Sequence, residues 1–201
     1  MAWLYFRNRV NYHKSKFFAQ IIWWVTKKVL LLHPILMCMS RKQVEIVLAQ
    51  GGNRACLYSF RFEGERLSEF EKFLMKYKEL DEFKLDFAVL LKRLLYFLEN
   101  GADDRYFRPE GKFADRVLGL PAQYLDSSRL RLYCVKMSDS VLLLGNGGDK
   151  HTETYQEDAD LNRAVETLQK IDFVIRGKEK KKEIVISGTE WLGDVIFEIE
   201  D

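Results

Sequence analysis

Three groups of side chains in this chain have the types and spacing for chemistry on an anion. The run RLRLYCV over 129–135 alternates, which puts Arg129, Arg131 and Tyr133 on one face of a strand and Leu130, Leu132 and Cys134 on the other. Two guanidiniums and a phenol in a row on the open face of a sheet can grip a phosphate and stack on a base. The plainer reading is three long polar side chains on a solvated face. Lys150 and His151 follow the next strand, with Tyr155 four residues beyond His151, and His151 is a candidate catalytic histidine whose plainer reading is a lone exposed one. Arg105 and Arg108 bracket Tyr106 and Phe107 in the preceding loop, which either contacts an anion or packs on its two aromatics. Phosphate contact is the task these types share.

The elements that must position these groups are read from periodicity. RLRLYCV and VLLL over 141–144 are joined by a polar turn and form a hairpin, with GNGG over 145–148 at its exit. Upstream, Gln43–Ala49 and Arg54–Glu63 read as strands. Apolar residues at helical spacing predict helices over 67–79 and from Asp81 to Asn100, an antiparallel pair closed by Gly101. A third helix is expected over 159–176, with Asp158 and Asp160 at its positive end. A solvated turn then leads to two alternating runs, 183–187 and 195–199, expected to pair as a terminal hairpin. The order predicts an α+β domain over 41–201, with a mainly antiparallel sheet and helices on one face.

Composition removes several function classes. The 201 residues, 47% hydrophobic and 31% charged, describe an ordinary globular chain. Residues 41–201 hold 26 Lys/Arg against 30 Asp/Glu, a net of −4, which opposes strong nonspecific nucleic-acid binding. Cys38, Cys56 and Cys134 are odd in number and widely spaced, which fits a reducing cytoplasm rather than a disulfide framework. The GNGG turn lacks the Lys-Ser/Thr of a phosphate-binding P-loop. Paired carboxylates, a Ser/His/Asp order and HExxH are also missing, so no metal site is expected.

Residues 1–40 differ in kind, with six Lys/Arg, no Asp or Glu, and three of the four tryptophans. Their apolar runs are broken by Lys27 and Lys28, and neither reaches the roughly 18–20 residues of a spanning helix. Stable membrane insertion is therefore not expected. A segment upstream of a true start at Met37 or Met39 and a basic interfacial anchor over 1–36 both stay open, the latter implying a peripheral membrane protein.

The element order, with RYFRPEGK (105–112), RLYC (131–134) and GNGG (145–148), resembles the RelE/ParE-type toxins of bacterial type II toxin–antitoxin systems, closest to a divergent branch carrying these same motifs. The resemblance covers about residues 54–176, and Arg131-Leu-Tyr and Lys150-His151 with Tyr155 match the superfamily's site positions. It implies a RelE/ParE-like sheet packed with a helical hairpin and a C-terminal helix. It also implies a cytoplasmic toxin that either cleaves ribosome-bound mRNA without metal or cofactor, or acts on gyrase. Arg131, Lys150, His151 and Tyr155 are then the catalytic set, and Arg105, Arg108, Arg129 and Tyr133 contact RNA. The implied partners are a helix-turn-helix antitoxin, mRNA and the ribosome. A non-catalytic protein of the same fold that binds such a regulator is the alternative.

Overall fold

Strong alternation at 41–62 and continuous apolar runs at 130–144 build a sheet from two kinds of strand. In the computed structural model, which describes residues 40–110, 116–121, 129–151 and 154–200, Arg41–Glu200 form one compact α+β unit. The N-terminal segment read above lies outside the described residues. Strands β1 (Arg41–Gly51) and β2 (Cys56–Phe62) are followed by helices α1 (Glu69–Tyr77) and α2 (Lys84–Asn100). Then come β3 (Arg108–Pro109), β4 (Val117–Leu120), β5 (Leu130–Ser138), β6 (Val141–Asp149), α3 (Ala159–Lys180), β7 (Ile184–Ser187), β8 (Glu190–Gly193) and β9 (Ile196–Glu200). Seven strands make a mixed sheet in the order β3-β4-β5-β6-β2-β1-β9, and β7 and β8 form a small separate one. All neighbours run antiparallel except β2 and β6, which pair in parallel from Cys56↔Val141 to Ser59↔Leu144.

Local signals explain the helix limits. Ser68 caps α1, its hydroxyl accepting from the Glu71 N–H at 3.3 Å while the Glu71 carboxylate accepts from the Ser68 N–H at 2.7 Å. A short 3-10 turn at Asp81–Phe83 precedes α2, which Gly101 ends at φ +87°. Asp158 caps α3 by accepting from the N–H groups of Asp160 and Leu161. The helix runs through Gly177 to Lys180, further than its apolar stripe suggested.

Two expectations are corrected. Helices cover both faces of the sheet, not one. Tyr133, Val135, Val141 and Leu143 pack under Leu161, Val165, Leu168 and Ile171 of α3. Leu130, Leu132, Cys134, Leu142 and Leu144 pack against Phe73, Leu90, Leu94 and Phe97 of α1 and α2. The physical reason is in the strands themselves, since β5 and the start of β6 are apolar on both sides and must be buried on both. Nor does the last strand close a hairpin with β7. Trp191 and its neighbours on β8 take that place, and β9 instead extends the main sheet beside β1, burying Phe197 and Ile199. Among the described residues no helix is long and apolar enough to cross a membrane.

Candidate functional site

Sheet register brings distant basic residues together at the β3–β5 edge. Arg108 pairs with Gly119, and Gly119 with Tyr133, so these positions form one row on the face that α3 covers. Arg131, two residues before Tyr133, shares that face. The Glu110 N–H donates to the Val117 carbonyl at 3.1 Å, and its side chain folds back over Gly119. At the far side of β5 the Lys150 N–H donates to the Arg129 carbonyl at 2.8 Å, which holds the end of β6 beside Arg131. Tyr155, in a 3-10 turn before α3, sets its ring edge-on to Tyr133 with centroids 6.3 Å apart.

The result is a half-buried cluster of three cations and one carboxylate. Glu110 lies 3.4 Å from Arg108 Nε, and its side chain is only 8% exposed. Burial pushes the Glu110 carboxyl above its ordinary value, against the pull of Arg108, Lys150 and Arg131. Burial also pushes Lys150 below the usual ammonium value, reinforced by Arg108 and Arg131. Arg131 is lowered by burial too, although a guanidinium stays charged at any working pH. A carboxyl raised and an amine lowered in one cluster bring two groups nearer the range where protons move. The excess of positive charge favours an anion.

Tyr133 departs from its expected setting. It is wholly buried rather than standing on an open face, because α3 lies over it. Its hydroxyl has no hydrogen-bond partner among the described residues, and burial, followed by the Glu110 charge, raises its pKa.

Of the eight residues singled out in the sequence, Arg108, Arg131, Tyr133, Lys150 and Tyr155 converge here. Arg129 and His151 do not. Arg129 precedes the first residue of β5, so strand alternation does not govern it, and its guanidinium turns to Asp149 and over the Phe83 ring at 5.3 Å. His151 joins the same exposed cluster, with Nε2 2.7 Å from Asp149 and Nδ1 3.4 Å from the Arg129 guanidinium. Arg105 lies apart, its charge over the Tyr106 ring at 4.8 Å and 3.7 Å from Asp103, with Arg93 against the same ring at 4.0 Å. Cys134 is an inert thiol, buried and pushed up to about 12.

Glu110 is the residue that pattern reading missed. Its signal is a lone carboxylate two residues after Arg108, at the spacing that keeps both on one strand face. The fold and site together define an α+β protein with a mixed sheet and a half-buried, cation-rich cluster at one edge. The chain matches no protein-family model, no curated protein and no solved structure.

Proposed function

We propose that the cluster binds a phosphodiester and that the protein is the toxin of a type II toxin–antitoxin system, a metal-independent mRNA endonuclease of RelE/ParE type. The observation that carries this reading is the set of three cations around a raised carboxyl, with Lys150 lowered beside it. Ribonucleotide cleavage requires these groups. Glu110, as carboxylate, takes the proton of the 2′-hydroxyl as that oxygen attacks phosphorus. Arg108 and Arg131 hold the charge that gathers on the phosphorane oxygens. Lys150 gives a proton to the leaving 5′-oxygen as the P–O5′ bond breaks. The products are a 2′,3′-cyclic phosphate and a 5′-hydroxyl. Tyr133 and Tyr155 pack edge-on beneath these groups and hold the Arg131 strand against α3. His151, Arg129 and Arg105, outside the cluster, are left as contacts to flanking RNA. The succession β2, α1, α2, β4, β5, β6, α3 supports the resemblance, since it is the order of strand, helical hairpin, sheet and C-terminal helix that the resemblance implies.

A second reading is favoured by the net charge of −4 over 41–201: a non-catalytic protein of this kind whose partner is a helix-turn-helix antitoxin or regulator. Induction in a bacterial host separates the two. The nuclease reading expects growth arrest and fragments of polysome-associated mRNA, both removed by Arg131→Ala and by Glu110→Gln with the fold intact. Arrest without cleavage, or no arrest, overturns it. Capture of the product of an adjacent helix-turn-helix gene under those conditions supports the second reading.

A further inference from the structure

A second cavity opens where the only parallel neighbours among the described strands end. β2 and β6 run side by side with their carboxyl ends pointing the same way. The chain leaves them in opposite directions. From β2 it passes to α1 on the Leu142/Leu144 face, and from β6 to α3 on the Leu143 face. Adjacent parallel strands whose connections part to opposite faces leave a crevice beyond their carboxyl ends, and open α/β sheets bind ligands in such crevices. Here the crevice has a volume of about 370 Å³, within the range of small-molecule sites.

Its lining has a definite chemistry. Phe62, half-buried, makes the floor, and the buried Phe60 supports it edge-on with centroids 5.8 Å apart. The wall on the α1 side is fixed by Glu69, whose carboxylate accepts from Lys72 at 2.6 Å and from Asn146 Nδ2 at 2.7 Å, so neither Glu69 nor Lys72 is left to a ligand. Two cations remain, from different helices. Lys76 has no carboxylate partner among the described residues, its ammonium resting 5.2 Å from the Tyr77 ring centre. Arg163 reaches Asp160 only at 3.9 Å, with both side chains 78% exposed. An aromatic floor between Lys76 and Arg163, the latter held only loosely by Asp160 of the same wall, suits a flat ring that carries an anionic group.

We propose that this crevice binds a mononucleotide unit, its base against Phe62 and its phosphate between Lys76 and Arg163. The site is separate from the Glu110 cluster and does not rest on nuclease activity. Two sources share this chemistry, a free nucleotide and one unit of an RNA strand. Calorimetric titration of the full chain distinguishes them, using AMP, GMP, CMP and UMP in turn, a single-stranded pentaribonucleotide, and inorganic phosphate. At least one nucleotide ligand is expected to bind saturably and about tenfold or more tighter than phosphate, which corresponds to about 1.4 kcal/mol. The double variant Lys76→Ala/Arg163→Ala lowers that affinity about tenfold or more, and Phe62→Leu lowers it severalfold. Binding of free mononucleotides with these losses assigns a free nucleotide. Binding of the pentanucleotide alone, with the same losses, assigns a strand unit. The inference is overturned by no binding of either kind, by phosphate binding as tightly as nucleotide, or by nucleotide binding that the double variant leaves intact in a protein of unchanged melting temperature.

Discussion

Glu110 occupies the space in which a side chain on Gly119 would stand. A Cβ at position 119 would lie 3.1 Å from Glu110 Cγ and 3.3 Å from its Oε1. The bare backbone of β4 is thus what lets the carboxylate fold back over the row that joins Arg108 to Tyr133. Gly119→Ala asks for a shift of a few tenths of an ångström, whereas Gly119→Val displaces the carboxylate. The valine variant is expected to cost about 1–3 kcal/mol of stability through overpacking and to reduce RNA cleavage as severely as Glu110→Gln, about 100-fold. Denaturant melts beside cleavage rates check both effects. Full activity in a folded Gly119→Val protein removes Glu110 from the mechanism.

The raised Glu110 carboxyl has a stability consequence of fixed sign. Its burial makes the folded state hold the proton more tightly than the unfolded chain does. Its contribution is therefore full below the ordinary carboxyl value and is lost as the pH rises through the folded value. Glu110→Gln keeps the shape and cannot ionise. The variant is expected to match the wild type at about pH 4 and to be more stable at pH 7, as urea melts across that range will read. Parallel curves contradict the burial argument.

Asp172 on α3 is fully buried and holds the start of β4. It accepts from the Arg116 backbone N–H at 3.2 Å and from Arg116 Nε at 2.8 Å, and Arg176 Nε lies 3.1 Å away. Arg116 also reaches Glu179 at 3.0 Å. Removing one partner from a buried set leaves charge without compensation, so Asp172→Ala is expected to cost about 3–5 kcal/mol. The exposed Arg41–Glu198 pair, at 3.1 Å, is the control. Arg41→Ala is expected to cost under about 1 kcal/mol. Equal losses in urea titrations contradict a staple at Asp172.

Gly147 marks a close approach of backbone on backbone beside the site. A Cβ there would fall 1.9 Å from the Arg131 carbonyl oxygen, which no rotamer change relieves. Gly147→Ala must part β5 from β6 next to Arg131, and it is expected to cost about 3 kcal/mol or more. At Gly145 the contacts at 2.9–3.1 Å are with the Leu168 side chain, which can move. Gly145→Ala is expected to cost less, about 1–2 kcal/mol. Thermal melts of the pair test the order.

Much of the fold was legible in the residues. Helical spacing at Phe70, Phe73 and Tyr77 located α1, Gly101 ended α2, Asp158 began α3, and alternation separated Tyr133 from Cys134 on β5. These are local signals, written within one or two turns of chain. Most of the site was legible in the same way, as Arg108, Arg131, Tyr133, Lys150 and Tyr155 were singled out by type and spacing. Glu110 was not, because a lone carboxylate gains significance only from the cations around it.

By itself, then, the sequence determined the helices and the long strands, their order and most of their limits, and the set of basic and aromatic groups from which a site is drawn; the short strands β3, β4 and β8 were not legible in it. Tertiary structure decided the rest. It put α3 over the Tyr133 face and the helical pair over the other, sent β9 to β1 rather than to β7, joined Glu110 to Arg131 and Lys150, and left Arg129 and His151 with Asp149. The physical reason is range. Periodicity and capping depend on neighbours along the chain, whereas strand partners, covered faces and converging charges depend on which distant surfaces bury each other.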